Sequence, residues 1–287
     1  MHVKRYKTIL SPKNGLNLYR GCTHGCIYCD SRSRCYQMTH DFEDIEVKED
    51  AIAILRQQLL KKRRPCMIAT GAMTDPYLHG EKQLRLTRQS LELVAELGFG
   101  VTLLTKSDRI LEDLPLLQEI NRENKAVVQV TLTCAEDALS RKIEPRVSVT
   151  SERVKVLAAC REAGIPTVVW LCPILPFIND MPENISRLLA MCAAAGVKGV
   201  ICFGFGLTLR EGNREYFYRQ LERLFPGMKE RYIRHFGDRY DCRSPRDAEL
   251  TELFHHSCEQ QGLWHDNHQL FAYLQQFESR HQQLSLF

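Results

Sequence analysis

No stretch of the 287-residue chain approaches the ~20 consecutive apolar residues that cross a bilayer, which argues against a membrane-spanning helix. The opening residues, Met1-His-Val-Lys-Arg-Tyr-Lys7, lack the apolar run of a secretory signal. A low-complexity linker is missing too, so no independently tethered module is expected. Charge of one sign is also scarce. A net charge of +4 permits a polyanionic partner without demanding one. The one dense basic cluster, Lys61-Lys-Arg-Arg64, ends a predicted helix, where cations favour the macrodipole, and reads as a solvated helix end. With 44% hydrophobic and 26% charged residues, the chain is expected to be an ordinary globular protein of the cytosol.

Cysteine, by contrast, is plentiful at 12 residues. A disulfide framework is not expected in a chain of this size without a secretion signal. Cys66, Cys134, Cys160, Cys172, Cys192 and Cys202 sit singly in apolar stretches, as buried thiols do. Cys22, Cys26 and Cys29 differ. They form a C-x3-C-x2-C run inside Arg20-Gly-Cys-Thr-His-Gly-Cys-Ile-Tyr-Cys-Asp30, and its short spacers let one loop aim three sulfurs inward, with Gly21 and Gly25 supplying the tight backbone. A [4Fe–4S] cube normally takes four cysteines, so three leave one iron open to a ligand. The alternative is a structural zinc with Cys35, His24 or His40 as fourth ligand, although zinc favours C-x2-C pairs. The run resembles the cluster motif of radical S-adenosylmethionine (SAM) enzymes, including the aromatic residue Tyr28 before the third cysteine, which stands as the candidate catalytic side chain. That resemblance implies a cluster whose free iron chelates SAM, and an electron that splits SAM to a radical able to take hydrogen from substrate.

Downstream, helical periodicity, glycine and a β-branched run recur at roughly the spacing of a βα unit. Helices are expected over 49–63, 83–97, 108–122, 151–163 and 182–195. Strands are expected at 14–21, 66–70, 101–105, 126–132, 167–172 and 199–203. Such alternation implies a parallel sheet with helices outside it. Gln129, Thr131 and Thr133 share one side of their strand, which suits a concave, ligand-filled lumen better than a dry core. The resemblance implies the same layout: an α/β fold, a partial (β/α)6 barrel of the radical SAM type. Residues 1–208 are expected to form this core and 209–287 a helical C-terminal extension packed on it or across its mouth, with faces such as Phe217/Leu221/Leu224 and Leu270/Leu274/Phe277.

In parallel α/β folds ligands sit at the C-terminal ends of the strands. Thr70, Gly71 and Asp75 follow the second strand as candidates for the SAM amino group. Lys106 follows the third as the candidate point charge for its carboxylate. Thr131, Thr133 and Arg146 follow the fourth. Cys172-Pro-Ile-Leu-Pro-Phe-Ile-Asn-Asp180, with Ile174, offers an apolar ledge for an adenine face, and Phe203 ends the sixth strand. His255, His256 and Cys258 look metal-like in spacing but share no single helix face, and read as helix surface.

The cysteine loop, Thr70-Gly-Ala-Met-Thr-Asp-Pro-Tyr77, Leu104-Thr-Lys106, Glu144-Pro-Arg146 and the 172–180 ledge jointly resemble the spore photoproduct lyase-like branch, over about residues 15–205. This implies a [4Fe–4S]/SAM enzyme with an electron donor such as flavodoxin or ferredoxin; a nucleic-acid substrate is one option beside a peptide or a small metabolite. Three departures argue against the repair reaction itself. Ala72-Met73 stands where the lyase has its cysteine hydrogen donor, Asp30 replaces a tyrosine after the third cluster cysteine, and Cys22 lies almost at the chain start. The competing reading is a zinc- or cluster-stabilised nucleic-acid-binding module without catalysis.

Overall fold

The computed structural model describes residues 1–279, and its frame is one parallel sheet. The strands β1 (Gly15–Leu16), β2 (Met67–Thr70), β3 (Gly100–Thr105), β4 (Ala126–Thr131), β5 (Thr167–Trp170) and β6 (Gly199–Ile201) lie side by side in chain order. Each runs parallel to the next. A doubly wound sheet reverses its strand order partway along. Here the order never reverses, so right-handed crossovers place their helices on one face and the sheet curls into the expected partial barrel.

Helices α1 (Ala51–Leu60), α2 (Leu86–Glu96), α3 (Leu114–Glu123), α4 (Thr150–Glu162) and α5 (Pro182–Ala194) fill the crossovers. Pairs spaced one helical turn apart or less, such as Leu55/Leu59, Leu91/Val94 and Leu117/Ile120, pack with Ile68, Leu103, Val128, Val169 and Val200 in one core. Each fully buried aliphatic side chain there contributes about 1.5–3 kcal/mol.

Two departures bear on the site. The strand expected over 14–21 is split: only Gly15–Leu16 joins the barrel, while Tyr19–Arg20 pairs antiparallel with Glu46–Lys48, itself parallel to His2–Lys4. The helix expected over 83–97 breaks at Arg85, whose φ is 51°, into Glu81–Leu84 and α2. That break lets Glu81 turn inward to accept the Tyr19 hydroxyl.

Beyond residue 208 the helices α6 (Asn213–Leu224), α7 (Met228–Phe236), α8 (Asp247–Gln261) and α9 (Asn267–Gln275) follow. A strand not expected there, Asp241–Arg243, pairs antiparallel with Gly206–Thr208. Helices α6 and α7 build a second core with Ile27, Tyr28 and Leu207, which backs the cysteine loop. Helix α8 lies on α5. Helix α9 does not lie across the mouth: Leu270 and Leu274 pack against Val127, Val168 and Ile201 on the sheet face opposite the outer helices, plugging the lumen from below. The Lys125 ammonium pins its end, donating to the carbonyls of Tyr273 (2.8 Å) and Gln276 (3.0 Å). Residues 280–287 of the expected extension lie outside the described residues. No described helix is long and apolar enough to cross a membrane.

Candidate active site

The polar side of β4 is satisfied within the lumen. Gln129 donates to Thr102 at 2.7 Å and accepts from the Trp170 indole at 2.7 Å. Above this layer the cysteine loop covers the strand ends, held by backbone bonds from Cys22 to Phe42 (3.1 Å), Ile27 to Ile143 (3.0 Å) and Arg146 to His24 (3.1 Å). Gly21 makes the first of these possible, since at φ 88° a Cβ would sit 2.4 Å from the Phe42 carbonyl oxygen. Cys26 is buried, Cys22 half-buried, and Cys29 opens into a cavity of about 730 Å³.

These cysteines fit a cluster better than a single ion. A tetrahedral zinc with bonds of about 2.0–2.3 Å holds its ligand atoms within about 4 Å of one another. Among the described residues, the group of His, Cys, Asp and Glu whose ligand atoms all lie within 4.8 Å is His2, His40 and Asp44, which contains none of the loop cysteines. Of the proposed fourth zinc ligands, Cys35 accepts from Arg210 at 3.2 Å, His24 Nδ1 lies 3.5 Å from Asp75, and His40 is grouped with His2 and Asp44 rather than with the loop cysteines. The three loop sulfurs do not all lie within 4.8 Å of one another, a wider spacing that suits an iron–sulfur core. Burial pushes the Cys22 thiol up to about 12, reinforced by Asp75 and Cys29, and raises Cys26 as well. A metal therefore has to displace protons to bind here.

The cavity joins the loop to the strand ends. Ala72 and Met73 follow β2, Leu104 and Lys106 come from the end of β3, Thr131 from β4, Trp170, Cys172 and Pro173 from β5, and Phe203 from β6. Its floor is aromatic: Trp170 and Phe203 line it, and Phe271 of α9 packs against both rings, with all three centroids 5.9–6.1 Å apart. Arg210, Tyr240 and Arg243 form the outer rim, and both arginines face carboxylates, Asp30 at 3.7 Å and Asp241 at 3.0 Å.

Lys106 is different. Its ammonium has no hydrogen-bond or ion-pair partner among the described residues, and burial works against its charge; Cys26, Glu144 and Asp75 nevertheless raise its pKa. Behind it lies a buried polar network. The Tyr28 hydroxyl donates to Glu144, whose other oxygen accepts from Arg153 at 2.6 Å, and Arg153 also donates to the carbonyls of Thr131 (3.0 Å) and Ser148 (2.8 Å). Burial alone would raise the Glu144 carboxyl, but Arg153 and Lys106 hold it below its ordinary range.

Of the residues singled out from the sequence, Cys29, Tyr28, Lys106, Thr131 and Phe203 meet at the cavity. The Tyr28 hydroxyl is committed to Glu144, so this side chain fixes the loop rather than presenting a free hydroxyl. Thr70 lies among Leu16, Leu91 and Val94 on the helix side of the sheet. Gly71, at φ 99°, is required by strand packing, because a Cβ would come within 1.9 Å of the Leu104 carbonyl oxygen. Asp75 spends its carboxylate on Thr105 (2.7 Å) and the backbone of Lys106 (2.8 Å) and Tyr77 (2.9 Å), locking the β2 end to the β3 end. Thr133 is fully buried beside Cys134. Arg146 is exposed on the outer side of the loop near Gly25, and Ile174 is buried in the core while Cys172 and Pro173 face the cavity. His255 and His256 are exposed and Cys258 is buried. Glu144 and Arg153 were not among the sequence candidates. Their signal was a lone arginine on the face of α4 that carries Val156, Leu157 and Cys160.

The family model described as the radical SAM superfamily matches residues 16–189. An uncharacterized protein of Mycobacterium tuberculosis is 33% identical over 231 residues, covering 76% of this chain but only 65% of the relative. A radical SAM Nalpha-GlyT isomerase of Pseudomonas phage M6 is 28% identical over 182 residues, 63% of this chain and 36% of that protein. Spore photoproduct lyase, solved in complex with a dinucleoside spore photoproduct, superposes with a TM-score of 0.62 at 15% identity, covering 86% of this chain and 74% of the lyase.

Proposed function

The chain belongs to the radical SAM superfamily, with a [4Fe–4S] cluster and SAM as its cofactors, and from there we propose that Cys22, Cys26 and Cys29 hold the cluster while the 730 Å³ cavity holds SAM and a substrate that gives up a hydrogen atom. The carrying observation is Lys106, an unpartnered ammonium in the wall that the cysteine loop shares. When bound, the cofactors supply a reductively generated adenosyl radical. The chain's own residues do the rest. Lys106 pairs with the SAM carboxylate, Thr131 lends a hydroxyl, and the Pro173 and Phe203 surfaces shape an apolar seat. The Tyr28–Glu144–Arg153 network holds the loop against the strand ends and keeps Glu144 ionised behind Lys106, which preserves the positive charge facing the cavity.

The reaction is lyase-like without the lyase's thiol, since Ala72 and Met73 line the cavity where the resemblance puts the hydrogen donor. A nucleoside-type substrate is favoured: Trp170, Phe203 and Tyr36 offer ring faces for stacking, and a similar fold binds a dinucleoside photoproduct. A cytosolic flavodoxin or ferredoxin supplies the electron. The test is anaerobic reconstitution with iron and sulfide, followed by reduction in the presence of SAM. The wild-type protein forms 5′-deoxyadenosine and Cys26→Ala forms none. Product from Cys26→Ala, or zinc in place of iron in the purified wild-type protein, overturns the ligand assignment.

A further inference from the structure

Beside the main cavity lies a second one of about 190 Å³, with Ser31, Tyr36 and Met73 shared as the wall between them. Two cations face it. Arg20 and Lys48 come from the antiparallel strands Tyr19–Arg20 and Glu46–Lys48, the small sheet that splits away from the barrel. Neither forms an ion pair with a carboxylate among the described residues, unlike Arg210 and Arg243 on the outer rim. The Arg20 guanidinium is aimed by a 2.7 Å bond to the Tyr36 carbonyl and a 3.4 Å bond to the Tyr6 hydroxyl. The Lys48 ammonium makes no hydrogen bond among the described residues; it stands 4.8 Å from the centre of the Tyr6 ring. Burial and the nearby Arg20 charge both lower the Lys48 pKa. Glu46, which both cations feel, is occupied by Tyr6 and Lys4 and does not line the cavity.

Two half-buried like charges whose one shared carboxylate, Glu46, is taken up by Tyr6 and Lys4 favour an added anion. We propose that this cavity is an anion subsite of the active site and takes a phosphate ester carried by the substrate. The inference rests on the functional reading above, since it is the shared wall that makes an anion seated here part of a substrate in the main cavity. A single carboxylate would be satisfied by the arginine fork alone. Arg20, Lys48, the Asn17 amide and the Ser31 hydroxyl together offer more donors than two oxygens can use, which fits a tetrahedral oxyanion. From this seat the attached group passes Met73 and Tyr36 toward the floor formed by Trp170 and Phe203.

The phosphate comes from a nucleic-acid backbone or from a free phosphorylated small molecule, and binding separates the two. The reconstituted protein is titrated calorimetrically with inorganic phosphate, thymidine 5′-monophosphate, thymidine and a ten-residue oligodeoxythymidine. The two phosphate probes bind, and thymidine binds at least tenfold more weakly than its monophosphate. In Lys48→Gln the affinity for both phosphate probes falls tenfold or more, the loss expected for one charge-assisted hydrogen bond. Lys48→Arg restores it, and Lys61→Gln, a surface lysine at the end of α1, binds like wild type. Iron content equal to wild type shows that each variant is folded. Displacement of thymidine 5′-monophosphate by the oligonucleotide assigns the subsite to a nucleic-acid backbone; failure to displace it assigns the subsite to a phosphorylated small molecule. The proposal falls if no probe binds, if thymidine matches its monophosphate, or if Lys48→Gln binds like wild type. None of these readouts requires SAM cleavage, so they stand or fall apart from the 5′-deoxyadenosine assay.

Discussion

Replacing Arg153 with methionine tests the buried network directly. Arg153 and Glu144 are 1% and 0% exposed and 2.6 Å apart, so the substitution strands a carboxylate in the interior and frees two backbone carbonyls. Breaking a buried pair from one side costs about 3–5 kcal/mol, because the remaining charge keeps its desolvation penalty. With an unfolding entropy of about 2.1 cal/mol/K per residue over 287 residues, each kcal/mol lowers Tm by about 1.7 °C, giving a drop of about 5–8 °C. The deficit also depends on pH. In the wild type the Glu144 carboxyl is held below its usual 4.5 in the folded state. Its stabilisation is therefore present above 4.5 and lost as pH falls through the lower folded value. Without Arg153 a leading cause of that lowering is gone, so the folded value moves up and the penalty shrinks as acidification protonates the carboxyl. Arg153→Met/Glu144→Leu removes both charges and recovers most of the loss. Differential scanning calorimetry at pH 7 and pH 5 reads all three proteins. A single variant that melts within 1 °C of wild type, or a double variant no better than the single, refutes the reasoning.

Two further outcomes follow from the site. Lys106→Met weakens SAM binding by about ten- to a hundredfold, the value of a charge-assisted contact, while Lys106→Arg loses less; equilibrium dialysis without reductant measures this, and unchanged affinity removes Lys106 from the SAM site. Gly71→Ala destabilises by more than about 2 kcal/mol, because its Cβ meets the Leu104 carbonyl and the backbone sits at φ 99°; a denaturant midpoint equal to wild type would contradict the packing described for β2 and β3.

The barrel was legible because its signal is long-range and redundant. Recurrent helix, glycine and β-branched runs gave six strands, and their unreversed order then distinguished a curled sheet from a doubly wound one. That Cys29 of the cysteine loop and Lys106 line one cavity could be read from their positions at strand ends. Thr70 and Ile174 failed on orientation: each is the right type near the right strand end, but a single residue step selects between lumen and core. Arg146 stands in the segment that carries the motif, whereas the depth of Arg153 is set by tertiary packing that a helical residue does not announce. The strand Asp241–Arg243 could not be seen, since its exposed–buried–exposed alternation spans only three residues, too few to stand out from a loop.

Helix α9 closes the lumen floor and places Phe271 under Trp170 and Phe203, yet it is translated some 240 residues after the cysteine loop. Until α9 has docked, Val127, Val168 and Ile201 on the inner face of the sheet lack the cover that Leu270 and Leu274 give them. The floor of the chamber thus hangs on a segment far along the chain from the loop it serves.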